Sequence, residues 1–215
     1  MKTILLIGLG RYGRHIAKKL HELGHEVLGV DRNEEKVDLA LPWLTRGLIA
    51  DSTKLSFLES LSVRSFDLCI VAIGDDFQSS LETTSLLKDM GARMVVARAA
   101  KGLHEKFLLR NGADQVVYPE KQLALWTAIR YSSDRVFDYF EIDREHAVYE
   151  IAVPAAWVGK TVGELDVRRK WHINVLAVKK DGAVDAGILP STRLEAGETI
   201  LIIGKNDDIQ KCLAL

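Results

Sequence analysis

The chain has 215 residues, 47% of them hydrophobic and 27% charged, with a formal net charge of −1. That length suits one large domain and a small one, and the near-neutral charge excludes the basic footprint of a nucleic-acid binder. Its two cysteines, Cys69 and Cys212, stand far apart and in no metal spacing, so no disulfide framework is expected and a reducing cytoplasm is the expected setting.

Thr3–Ile7 reads as a buried strand. It runs straight into Gly8-Leu9-Gly10-Arg11-Tyr12-Gly13. Lys2 before so short an apolar run does not make a signal peptide. Gly13–Leu23 reads as a helix with Ile16, Ala17, Leu20 and Leu23 on one face, and Glu26–Val30 as a second strand that Asp31 closes. Strand, three-glycine turn, helix and strand ending in an acid form the plan of a nucleotide-binding βαβ unit. Gly8 makes the tight turn, Gly10 lets backbone approach a pyrophosphate, and Gly13 lets the helix lie close to the sheet. Amides at the helix N-terminus then face the phosphates. Asp31 follows Gly8 by 23 positions, near the ~20 at which a carboxylate accepts the ribose hydroxyls. That carboxylate would repel a 2′-phosphate and so disfavours NADP, an argument that neighbouring Arg32 softens.

Asn33 starts a short helix that Pro42 stops. Gly47–Ala50 is a third strand, and Ser52/Thr53 caps a helix through Leu61. Leu68–Ile73 is a fourth strand, apolar throughout as a central parallel strand requires. Asp76 begins a helix to Met90, followed by a strand over Arg93–Ala97, a helix over Lys101–Asn111 and a strand over Gln115–Tyr118. These repeats predict a doubly wound parallel Rossmann sheet in order 3-2-1-4-5-6, with its ligand crevice at the carboxyl ends of strands 1 and 4. Beyond Pro119, a helix over Glu120–Tyr131 and an aromatic stretch over Val136–Phe140 form a crossover segment. A small α+β unit follows, with strands over Ala147–Val153, Asn174–Lys179 and Thr199–Ile203 and helices over Gly163–Lys170 and Asp207–Leu213. The expected domains are therefore 1–140, with a Rossmann core over about 1–118, and 141–215. No run approaches ~20 apolar residues, so nothing spans a membrane.

Arg11, inside the glycine turn, either meets a terminal phosphate bidentately or is a solvated surface arginine. Arg98, at the end of the fifth strand, carries the same two readings. Asp51 and Ser52 end the third strand beside the expected adenine position, and Ser52 reads equally as a helix cap. His15, His21, His25 and His104 read as solvent-facing. The residues after 140 hold His146 and His172 but no nucleophile motif or catalytic constellation, so a dehydrogenase-like enzyme lacks a visible active site. A ligand-sensing module that does no chemistry fits better. An NAD-dependent enzyme completed by a partner, or an NAD(H) redox sensor, is the alternative.

Several segments together resemble a known family. Ile7-Gly8-Leu9-Gly10-Arg11-Tyr12-Gly13, Gly24-His25-Glu26-Val27 with Val30-Asp31, Ala50-Asp51-Ser52-Thr53, Val71-Ala72-Ile73-Gly74, and Asn111-Gly112-Ala113-Asp114 with Tyr118-Pro119-Glu120-Lys121 look like the regulatory subunits of Trk/Ktr potassium uptake. Those proteins are built from RCK domains, with TrkA-N and TrkA-C parts. Leu165–Arg168 through Asn174–Val178 is similar to the family's small C-terminal domain, so the likeness spans nearly the whole chain. The resemblance implies a homo-oligomeric ring, an octamer, at the cytoplasmic face of the membrane under a potassium-translocating subunit. It implies ATP/ADP or NAD(H) in the first domain, held by the glycine turn, Asp31 and residues around Ile73 and Gly74. It places Glu120 near a divalent cation such as Mg²⁺ between paired subunits, although a first-turn glutamate also favours the helix dipole. In some relatives the small domain binds a cyclic dinucleotide, and the matching positions are Val162, Arg168, Asn174, Val175 and Pro190. Arg169, Trp171 and His172 depart from that pattern. Trp171 either stacks on a base or fills a cavity between subunits.

Overall fold

The structure is a computed structural model and describes residues 1–213. By contact density the chain divides into two compact units, Met1–Lys121 and Gln122–Leu215. In the first, β1 (Thr3–Ile7), α1 (Arg11–Glu22), β2 (Glu26–Asp31), α2 (Glu34–Ala40), β3 (Arg46–Ile49), α3 (Leu55–Glu59), β4 (Leu68–Val71), α4 (Phe77–Asp89), β5 (Val95–Arg98), α5 (Gly102–Arg110) and β6 (Gln115–Val117) alternate. The strands form one parallel sheet in the order β3-β2-β1-β4-β5-β6. This is the expected Rossmann order, in which the order of successive strands reverses between β1 and β4 and opens a crevice there.

Alternation along β1 explains the two layers. Ile4 and Leu6 bury one face of the sheet with Leu9, Ala17, Val27 and Val37. Leu5 and Ile7 bury the other with Leu58, Leu87, Val95 and Leu108. Successive strand side chains point to opposite faces, so an unbroken apolar run needs a helical layer on each. Burial pushes the Cys69 thiol up to about 12, so it behaves as a small hydrophobe.

The helix α6 (Pro119–Tyr131) follows β6, and none of its residues is buried. Then come β7 (Val136–Glu141), β8 (His146–Ala152), α7 (Val162–Leu165), α8 (Val167–Lys170), β9 (Asn174–Lys180), β10 (Ala183–Asp185), β11 (Thr199–Lys205) and α9 (Asn206–Leu213). Their sheet is antiparallel, in the order β10-β9-β11-β8-β7. Tyr149, Ile151, Ile200 and Ile202 line its inner face with Trp157, Leu165, Ile173, Leu194 and Ile209. Asp181 and Gly182, both at positive φ, join β9 to β10 as a two-residue hairpin turn.

Several local expectations change. The aromatic stretch after α6 is β7, an edge strand of the second sheet, not a connector. The helix expected over Gly163–Lys170 is two short helices, because Asp166 adopts φ +46° between them. Ser52 does not cap α3, whose N-cap is Lys54 without a side-chain bond.

His104 is buried rather than solvent-facing, and its ring lies 4.7 Å from that of Phe77. Its Nδ1 accepts from the Ala100 amide, and Nε2 has no partner among the described residues. Burial holds its pKa below the ordinary 6.5. Below about pH 6.5 the unfolded chain therefore takes up a proton that the folded chain refuses, and stability falls with acidification. Urea unfolding at about pH 5.5 and about pH 7.5 should show this loss. In His104→Leu the loss should be smaller, and an unchanged slope would place the titrating group elsewhere.

Candidate functional site

A cavity of about 850 Å³ opens at the carboxyl ends of β1, β2, β3, β4 and β5. Its size falls within the ~300–1,000 Å³ usual for small-molecule sites. Of the expected nucleotide contacts, Gly8, Gly10, Arg11, Tyr12, Asp31, Arg32, Asp51, Ser52, Ile73, Gly74 and Arg98 all line it, and so does Glu120. Gly13 lies behind the wall. These residues end or follow each of β1 to β6 in turn, Glu120 being the one after β6, and the fold gathers them at one edge.

Each glycine has a distinct geometric reason. Gly8 sits at φ +94°, and a Cβ there would lie 3.0 Å from the Ala72 and Ile73 backbone. A Cβ on Gly13 would fall 1.9 Å from the Gly8 carbonyl oxygen, so only glycine lets α1 start against the turn. Gly10 differs from both. A Cβ there would meet nothing within 4 Å. Its missing side chain clears space in the cavity rather than in the protein.

Asp31 braces this turn. The Leu9 amide donates to its Oδ2 at 2.8 Å, and the Asn33 amide to its Oδ1 at 2.9 Å. Each carboxylate oxygen keeps a second lone pair for another donor. The Arg14 guanidinium donates to the Leu9 carbonyl at 3.0 Å and holds the turn from the other side.

Helices α1 and α4 both start at the cavity, and their N-termini are not equivalent. Asp76 caps α4, accepting from the Ser79 amide at 3.0 Å and the Ser79 hydroxyl at 2.7 Å. Those bonds hold its carboxyl below the usual range, and Arg32 stands 3.7 Å away. That helix end already carries its anion. Helix α1 starts at Gly10 with no side-chain cap and no acid in its first turn. Its first amides lack intrahelical acceptors and its dipole is uncompensated. Arg11 adds an exposed guanidinium at the same point. Of the two helix ends, the α1 end is therefore the one with donors free to meet an anion.

At the end of β3, the Ser52 hydroxyl is buried and bonded to Thr83 Oγ1 at 2.8 Å. Asp51 accepts from the Thr53 hydroxyl at 2.7 Å and from its amide at 3.0 Å, which lowers its pKa. At the other end, Arg98 pairs with Glu120, and its guanidinium carbon lies 5.2 Å from the Tyr12 ring centroid. Arg14, Lys36, Asp75, Asp76 and Ser79 also line the cavity, and no motif in the sequence marks them as ligand contacts. Asp76 is foreshadowed only as a helix start.

For the second ligand, Val162 and Val175 pack against the core of the smaller unit, while Arg168, Asn174 and Pro190 are exposed. The Gly163 amide donates to the Pro190 carbonyl at 2.8 Å, which sets Pro190 beside the start of α7.

The family model described as the TrkA-N domain matches residues 4–119, and that described as the TrkA-C domain matches residues 147–215. Ktr system potassium uptake protein C of Bacillus subtilis is 37% identical over 98% of this chain and 95% of its own length. Ktr system potassium uptake protein A of the same organism is 35% identical with the same coverage. Among solved structures, the GsuK channel shares the fold at a TM-score of 0.72 and 18% identity, over 97% of this chain and 38% of the channel chain. No described helix is long and apolar enough to cross a membrane. With a cavity at the switch point of a Rossmann sheet, a second antiparallel unit and this likeness along nearly its whole length, the chain belongs to the TrkA-N/TrkA-C family of Ktr and Trk potassium-uptake proteins.

Proposed function

We propose that this chain is a nucleotide-sensing regulatory subunit of a membrane potassium transporter. It carries out no chemistry on the nucleotide and works at the cytoplasmic face of the membrane. One observation carries the reading: within one cavity, the uncapped start of α1 with Gly10 and Arg11 faces an unfilled space, and Asp31 stands at the rim. The first feature suits a pyrophosphate and the second an adenosine ribose. ATP and ADP fit both, as does NAD(H).

Regulation needs two conformations and a ligand that prefers one. Moving a population from 1:99 to 99:1 takes ~5.5 kcal/mol of differential binding, which many identical sites in a ring can share. The exposed side chains Leu123, Leu125, Tyr131, Phe137 and Phe140 supply apolar surface for such a ring, which we place at eight subunits. Light scattering should give about eight times the 24.0 kDa chain mass. Mass spectrometry of the purified protein should find an adenine nucleotide. A monomer free of nucleotide, binding none of ATP, ADP or NADH on titration, would overturn the proposal.

Arg11 should set the preference between ATP and ADP. Removing a guanidinium that meets the terminal phosphate costs the longer nucleotide more. Arg11→Ala should lower the ATP-to-ADP affinity ratio by about tenfold, the equivalent of 1.4 kcal/mol. Equal weakening of both would reduce Arg11 to general charge neutralisation.

A further inference from the structure

Glu120 lines the same cavity as the uncapped start of α1, which is suited to anions. It stands at the first turn of α6, and its carboxyl is held below the usual range by its own backbone amide and by Arg98. A free carboxylate there would repel phosphate. A divalent cation could neutralise it, but the residues do not fit one. The carboxylate itself is already paired with Arg98.

Arg98 is built into its place. Its side chain is 19% exposed against 56% for Glu120. The Tyr12 ring covers its guanidinium. A Cβ on Gly74 would fall 2.3 Å from its Nη1, so the slot exists because Gly74 has none. Tyr12 is two residues from Gly10, so the same ring ties the ion pair to the phosphate turn.

We propose that Arg98 is the resident counter-ion of Glu120, filling the role of a divalent cation, so that this chain binds nucleotide without Mg²⁺. The inference rests on the nucleotide reading above. Its test is calorimetric titration of the full chain with ADP, in excess EDTA and in Mg²⁺. The wild type should give the same affinity in both. Arg98→Gln leaves the carboxylate bare and should lose about tenfold or more in EDTA, a 1.4 kcal/mol change, with most of it restored by Mg²⁺. The double variant R98Q/E120Q should recover affinity in EDTA and lose the response to Mg²⁺. E120Q alone should bind at least as tightly as wild type in either condition, and it carries the test if R98Q does not fold.

A wild type that binds ADP only with Mg²⁺ would overturn the proposal. Weak binding by R98Q that neither Mg²⁺ nor E120Q relieves would also overturn it, because Arg98 would then contact phosphate itself. A loss of affinity in E120Q confined to Mg²⁺ would assign the cation to Glu120 and overturn it as well. Absence of binding by the wild type to ADP, ATP and NADH alike would instead strike the nucleotide reading beneath it.

Discussion

Replacing Gly13 by alanine is expected to lower the stability of the chain and abolish nucleotide binding together. The added Cβ would sit 1.9 Å from the Gly8 carbonyl oxygen, 3.0 Å from its carbon and 3.6 Å from the Ala72 Cβ. Two of those neighbours are backbone atoms in a turn that the Asp31 carboxylate and the Arg14 guanidinium hold fixed. Neither can swing aside as a side chain could, so α1 must shift as a body. Overpacking of this kind costs about 1–3 kcal/mol and sometimes more. The shift also carries the first amides of α1 away from where they meet an anion.

Gly10→Ala separates the two effects. Gly10 has φ −61° and ψ −173°, which alanine adopts without strain. Its Cβ would meet no protein atom within 4 Å. Melting temperature should therefore stay near that of wild type while nucleotide affinity falls, because the new methyl occupies ligand space. If Gly10→Ala bound ATP, ADP and NADH as wild type does, the pyrophosphate would have to lie elsewhere in the cavity.

What was legible in the sequence depended on reach. The sheet order and the glycine turn are written in short windows: an apolar run, a turn, a 3.6-residue stripe and an acid 23 positions on. Contacts between distant segments are not. Ser52 looked like a helix cap, because nothing local shows that Thr83 will stand 2.8 Å from its hydroxyl. Arg98 and Glu120 were read separately, one for phosphate and one for a cation, yet the fold pairs them across 22 positions and lays Tyr12 against the guanidinium. His104 looked exposed until α4 brought Phe77 over it. Strand β7 does not read as a strand in the sequence, because its register shifts between Val136 and Asp138. That irregularity breaks the period of two by which a strand is recognised.

Asp31→Ala is expected to weaken every adenine nucleotide, but the raw loss mixes two causes. The carboxylate braces the Leu9 and Asn33 amides at 2.8 and 2.9 Å. It also stands where a ribose would offer its hydroxyls. Removing it therefore loosens the glycine turn as well as the sugar contact. Chemistry on the ligand separates them. Wild-type protein should prefer ATP to its 2′,3′-dideoxy analogue, because each charge-assisted hydrogen bond contributes about 1.5–3 kcal/mol, and 1.4 kcal/mol is tenfold in affinity. In Asp31→Ala that preference should fall close to one, since neither ligand then has a carboxylate to meet. The damage to the turn weakens both ligands alike and cancels from the ratio. Asp31→Asn, which keeps one acceptor oxygen but no charge, should give an intermediate ratio. A preference for ATP that survives in Asp31→Ala would mean that the ribose is held by another residue. The carboxylate at the end of β2 would then serve only to fix the turn.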